Sequence, residues 1–137
     1  MINAIYGKKG AGKTKRLIDT ANSLASKGPG QVVFIDDSSK HIYDLKHEVR
    51  FVNVSEYGVK GTEGLKGFIC GIISTNYDIS SIIVDRLIYI TAQKPEAEEM
   101  ERLLRDLETI SAANNIDFYL SISGDPESMP EYMKKYV

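Results

Sequence analysis

With 137 residues, 42% of them hydrophobic and 26% charged, the chain has the size and make-up of one ordinary folded domain, and wholesale disorder is excluded. A formal net charge of -2 supplies no overall basic field, so nucleic acid is not indicated as a partner. The opening MINAIYG lacks a secretion signal, and no stretch approaches the ~18 uninterrupted apolar residues of a membrane span, so a cytoplasmic location is expected.

Short β-branched runs alternate with longer segments of helical periodicity, the pattern of a predominantly parallel sheet with helices on both faces. INAIYG (Ile2 to Gly7) reads as the first strand. After a glycine-rich loop, Leu17, Ile18, Ala21, Leu24 and Ala25 recur at helical spacing, with Gly28 and Pro29 as a stop. QVVFIDD, Gln31 to Asp37, predicts a buried strand ending in two carboxylates. Ser38 to Leu45 fits a short helix and Val49 to Val54 a third strand.

From Thr62 to about Asn76, Leu65, Phe68, Ile69, Ile72 and Ile73 mark an apolar helix face. Gly64, Gly67 and Gly71 interrupt it; close packing on the sheet is their expected use, with a close partner contact through the GFICG small-residue face as the alternative. Cys70, the single cysteine, sits among apolar neighbours in GFICGII, which predicts a buried thiol in a reducing compartment. SSIIVD, Ser80 to Asp85, is another buried strand closed by an acid. KPEAEEMERLLRDLETISAANN predicts the clearest helix, with Pro95 at its first position and Met100, Leu103, Leu104, Leu107 and Ile110 as its stripe. Ile116 to Ser123 is the fifth strand, followed by a turn at Gly124 to Pro126 and a short terminal helix around Met129 to Tyr136.

The loop GKKGAGKT, Gly7 to Thr14, matches G-x-x-x-x-G-K-[ST] between a strand and a helix. Phosphates need many N–H groups converging on one point. Gly7, Gly10 and Gly12 let the backbone curl closely enough to supply them, and the helix beginning near Lys13 adds its positive end. Lys8, Lys9, Ala11 and Lys15 complete the phosphate-binding candidates, with Lys13 reaching the outer phosphates and the Thr14 hydroxyl ligating magnesium. Asp85 is the second candidate metal anchor.

The pair GKKGAGKT and SIIVDRL resembles the Walker A and Walker B motifs of P-loop NTPases, and the element order resembles a minimal RecA-like core spanning residues 1–137 as one domain. Right-handed crossovers, taken with that RecA-like arrangement, favour the first strand beside the fifth, with Ser80 to Asp85 next. The chain is also similar to small bacterial P-loop proteins of unassigned function, some of which carry a twitching-motility ATPase label. The resemblance implies a nucleoside triphosphate as ligand, with ATP and Mg2+ as cofactors, and Lys13 and Asp85 in catalytic roles. ATP is favoured over GTP because Ile88 stands where Ras-type GTPases carry a glycine, and NNID, Asn114 to Asp117, precedes its strand.

The glutamate that many RecA-like hydrolases carry after the Walker B aspartate is replaced by Arg86. In the RecA branch that glutamate follows the second strand, and here Asp36 or Asp37 would have to activate water. Ser121 or Ser123 stands where such folds sense the terminal phosphate. Lys8 also falls where dimeric partitioning ATPases carry a lysine that crosses to the partner, although Lys9 replaces the glycine that follows it there. The expected function is a slow ATPase or a nucleotide-dependent switch, completed by a homo-oligomer or another protein. A small nucleoside or nucleotide kinase and a non-hydrolysing nucleotide-binding module remain alternatives.

Overall fold

The computed structural model describes residues 1–90 and 95–137. Five parallel strands form one sheet: β1 (Ile2–Gly7), β2 (Gln31–Asp36), β3 (Arg50–Asn53), β4 (Ile79–Val84) and β5 (Asp117–Ser123), in the spatial order β1-β5-β4-β2-β3. The placement of β1 beside β5, with β4 next, matches the expectation from sequence. The strand that leads into the glycine loop is a margin of the sheet.

Helix α1 (Lys13–Lys27) packs Leu17, Ile18 and Ala21 on one face of the sheet against Val32, Phe34 and Ile83. Helices α2 (Gly61–Ser74) and α4 (Ala97–Asn114), with the short α3 (Leu87–Ile90) between them, cover the other face through Leu65, Ile69, Leu87, Leu104 and Leu107. β1 to β2 crosses the sheet in one direction beneath α1, whereas β3 to β4 and β4 to β5 return beneath α2 and α4. Direction and face reverse together, as a constant crossover hand requires. The loops after β1 and β4 therefore leave toward opposite faces, and a crevice opens above the carboxyl end of β5 between them.

Several local expectations are corrected. Ser38 to Leu45 is no α-helix; a single 3-10 turn forms at Ile42–Asp44. The short terminal helix expected around Met129 to Tyr136 is present, as a 3-10 helix at Glu131–Tyr136 that follows a 3-10 turn at Pro126–Ser128. Pro95 lies two residues before α4, whose N-cap is Glu96, and Lys94 lies outside the described residues. Cys70 is exposed, not buried. The buried stripe of α2 is Thr62, Leu65 and Ile69, and one further residue turns Cys70 about 100° away from it. Gly64, Gly67 and Gly71 are likewise exposed, and a Cβ on Gly67 or Gly71 would meet nothing within 4 Å, so close packing does not explain them.

The margin strand is held at both ends. The N-terminal ammonium donates to Ser111 Oγ and lies 3.4 Å from Asp117 Oδ1, while Met133 and Tyr136 bury themselves in the same core as Ile2 and Ala4. Gly124 donates its N–H to the Gly7 carbonyl at 3.1 Å, carrying the pairing of β5 with β1 one step past the strands.

Candidate functional site

The loop from Gly7 to Thr14 is shaped by glycine where only glycine is comfortable. Gly10 and Gly12 adopt φ of 86° and 83°, and a Cβ at either would meet nothing within 4 Å, so both residues leave open space above the backbone. Gly12 caps α1 with no side-chain hydrogen bond, which leaves the first-turn N–H groups of the helix facing that space. The positive end of the helix adds to them, so the arrangement suits an anion.

Lys13 folds back over the loop, its Nζ donating at 2.8 Å to the carbonyls of both Gly7 and Lys8. Burial lowers its pKa from the ordinary lysine value, and the nearby Asp85 opposes that shift. Lys8 itself is exposed and contributes its carbonyl, while Ala11 donates its N–H to that same carbonyl at 3.1 Å.

A cavity of about 390 Å³ opens here, lined by Lys9, Gly10, Gly12, Lys13, Thr14 and Lys15 from the loop and helix. Asp85, Arg86, Tyr89, Ser121 and Ser123 line its other side. Of the nine residues read as phosphate-binding, six line it; Gly7, Lys8 and Ala11 do not. Thr14 Oγ1 donates to Asp85 Oδ2 at 2.9 Å, joining residues 71 positions apart. Asp85 is fully buried, and its Oδ1 accepts from Ser121 Oγ at 2.5 Å and from the Arg86 amide at 3.0 Å.

A hydroxyl beside a buried carboxylate is a pair of hard oxygen donors of the kind magnesium takes, together with phosphate oxygens and water. Among the described residues no cluster of three or more His, Cys, Asp or Glu is placed to hold a metal. The donors present therefore fit a cation that also draws on a ligand's oxygens and do not fit an all-protein metal cage.

Ser121 and Ser123 prove unequal. Ser121 is buried and committed to Asp85 and to the Arg86 amide, which donates to its Oγ at 2.7 Å. Ser123 is half-buried and in register with Gly7 across β1 and β5.

Asp36 and Asp37 stand at the end of β2, beside Asp85, because Ile35 pairs with Val84. Neither lines the cavity. Arg86 lies between them and the cavity: its Nε is 3.4 Å from Asp36 Oδ1, and its Nη2 meets the Asp37 carboxylate and donates to Ser38 Oγ at 3.1 Å. Burial pushes the Asp36 carboxyl up to about 6, with its neighbour Asp37 adding to the shift and Arg86 opposing it. For Arg86 burial acts downward, but Asp36 and Asp37 outweigh it and hold its pKa above the ordinary value.

Reading the sequence identified Arg86 only as a departure from a motif and did not assign it this bridging position. The signal was present: one arginine after an acid at one strand end, and two acids at another. Tyr89, half exposed at the cavity wall, had no sequence signal. The segment between Asp85 and Pro95 falls partly outside the described residues.

No protein-family model matches the chain, and comparison with curated proteins returns no match. Among solved structures, the chain is similar to the flagellar accessory protein FlaH from Methanocaldococcus jannaschii, with a TM-score of 0.60 at 14% identity. The match covers 96% of this chain and 64% of that one, so the chain spans less than two thirds of FlaH's length. At that identity the likeness is one of fold, and it agrees with the five-stranded parallel α/β architecture expected of a RecA-like core. No described helix is long and apolar enough to cross a membrane.

Proposed function

We propose that the protein binds a nucleoside triphosphate, ATP by preference, with magnesium, and acts as a slow ATPase or nucleotide-dependent switch. The observation that carries this reading is the contact between Thr14 Oγ1 and Asp85 Oδ2 at 2.9 Å. It joins the end of the glycine loop to the end of a buried strand, and Thr14 and Asp85 would be the two residues that hold a magnesium ion. When bound, the ion would neutralise phosphate charge. Lys13 would exchange its carbonyl partners for phosphate oxygens, and the amides at the start of α1 would orient the phosphate chain.

The acids at the end of β2 support slow or partner-dependent turnover. Asp37 is engaged by Arg86 and Asp36 is buried behind it, so neither reaches an attacking water in this arrangement. A second copy or another protein would then supply what the site lacks. Titration calorimetry with ATP and magnesium on the parent and on Lys13→Ala tests the binding, and equal affinity in the two would overturn it. Phosphate release measured on the same pair decides between turnover and binding alone.

A further inference from the structure

Arg86 has a fixed backbone and a side chain with two unlike anchors. Its φ of 56° lies in the left-handed region, and its N–H is held by Asp85 Oδ1 at 3.0 Å and Ser121 Oγ at 2.7 Å, so the residue is pinned beside the cavity. Arg86 lines that cavity, and its guanidinium is turned toward Asp36, Asp37 and Ser38. Asp36 is 0% exposed, and among the described residues its Oδ2 has no hydrogen-bond partner. Asp37 is 28% exposed. Removing the cation from a buried carboxylate is costly, whereas water readily replaces it at an accessible one. The guanidinium thus has a permanent partner at Nε and an exchangeable one at Nη2.

We propose that Arg86 reads the terminal phosphate of the bound nucleotide: pivoting on its Nε contact with Asp36, it turns its Nη edge from Asp37 and Ser38 to the phosphate, releasing the stretch from Asp37 to His41. This rests on the function proposed above. A guanidinium presents paired N–H donors in the plane that suits phosphate oxygens, so the exchange replaces one charge-assisted contact with another. A diphosphate lacks the group that draws the Nη edge away and leaves the strand-end contact in place. The release is local because the later part of the loop is held to α1. Asn22 Nδ2 donates to the Asp44 carbonyl at 3.0 Å, and Asn22 Oδ1 accepts from the Lys46 amide at 2.8 Å. The nucleotide state is thereby passed from the phosphate loop to the β2–β3 connection, beside the fully exposed Tyr43.

The test combines hydrogen exchange over residues 37–43 with titration calorimetry. The full chain is measured with magnesium and either a hydrolysis-resistant ATP analogue or ADP. Exchange there should quicken with the triphosphate and not with the diphosphate. Arg86→Asn removes the guanidinium and keeps a residue that tolerates left-handed backbone. Its exchange should be fast in every state, and its preference for triphosphate over diphosphate should fall about tenfold or more. Asp37→Asn should raise that preference. An unchanged preference in Arg86→Asn, or equal exchange with the two nucleotides, would overturn the proposal. If Arg86→Asn does not fold, an unchanged preference in Asp37→Asn overturns it instead. Absence of any nucleotide binding to the parent would sink the proposed function and this inference together. Binding that is indifferent to Arg86 and Asp37 would remove the inference alone.

Discussion

The Ser121 hydroxyl donates to Asp85 Oδ1 at 2.5 Å from the neighbouring strand, and both residues are buried. The pair sets the direction in which the other carboxylate oxygen, Oδ2, faces Thr14. Ser121→Ala would leave that carboxylate short of a partner in a buried setting, a loss of about 1–3 kcal/mol. Denaturant unfolding should show this cost. Ser123→Ala, at a half-buried cavity position, should change stability by less than about 0.5 kcal/mol. Equal costs would contradict the distinction drawn between the two serines.

Lys13→Ala should fold as the parent does, because the Gly7 and Lys8 carbonyls that it contacts keep the Gly124 and Ala11 N–H groups as partners. Loss of nucleotide affinity together with an unchanged unfolding midpoint is the expected outcome. A large drop in the midpoint would mean that the lysine is a structural clamp.

Gly124→Ala would drive a Cβ into the Tyr6 hydroxyl and ring, and the ring would have to move. Overpacking of this kind costs about 1–3 kcal/mol. Combining it with Tyr6→Ala should recover part of the loss, and a double-mutant cycle would show coupling.

The native protein should react stoichiometrically at Cys70 with a soluble thiol reagent, without denaturant, since the thiol is exposed. Protection until unfolding would restore the buried position that the sequence suggests.

Tyr136 donates its hydroxyl to Glu108 Oε2 at 2.9 Å, and this bond, with Lys135 adding to it, holds the Glu108 carboxyl below its ordinary value of 4.5. A depressed carboxyl favours the fold above its unfolded pKa, and the benefit disappears as pH falls through the folded value. Tyr136→Phe should therefore lower stability at neutral pH, by a small amount because solvent screens the half-exposed carboxylate. The difference from the parent should shrink as the medium becomes acidic enough to protonate Glu108. A pH-independent difference would assign the loss to packing.

Sheet, strand boundaries and glycine loop were legible because each has a local signature: β-branched runs, their terminal acids and the spacing of Gly7, Gly12 and Lys13. What Arg86 does was not legible. Its meaning depends on β2 lying beside β4, which brings Asp36 and Asp37 across 49 or 50 positions of chain. Cys70 misled for a different reason. Apolar neighbours in sequence lie around the whole circumference of a helix, and only the phase set by Leu65 and Ile69 decides which of them the sheet covers.

β1 bears the loop and is also a margin of the sheet, paired through its backbone, among the described residues, with β5 alone. Marginal strands are where native sheets open most readily, by excursions smaller than global unfolding. In such an excursion β1 would peel from β5 while β4, β2 and β3 stay paired, and the phosphate loop would lose its shape in a molecule that still counts as folded. Binding competence and foldedness are therefore separable here, because the loop depends on one seam, β1 with β5, and not on the average strength of the sheet.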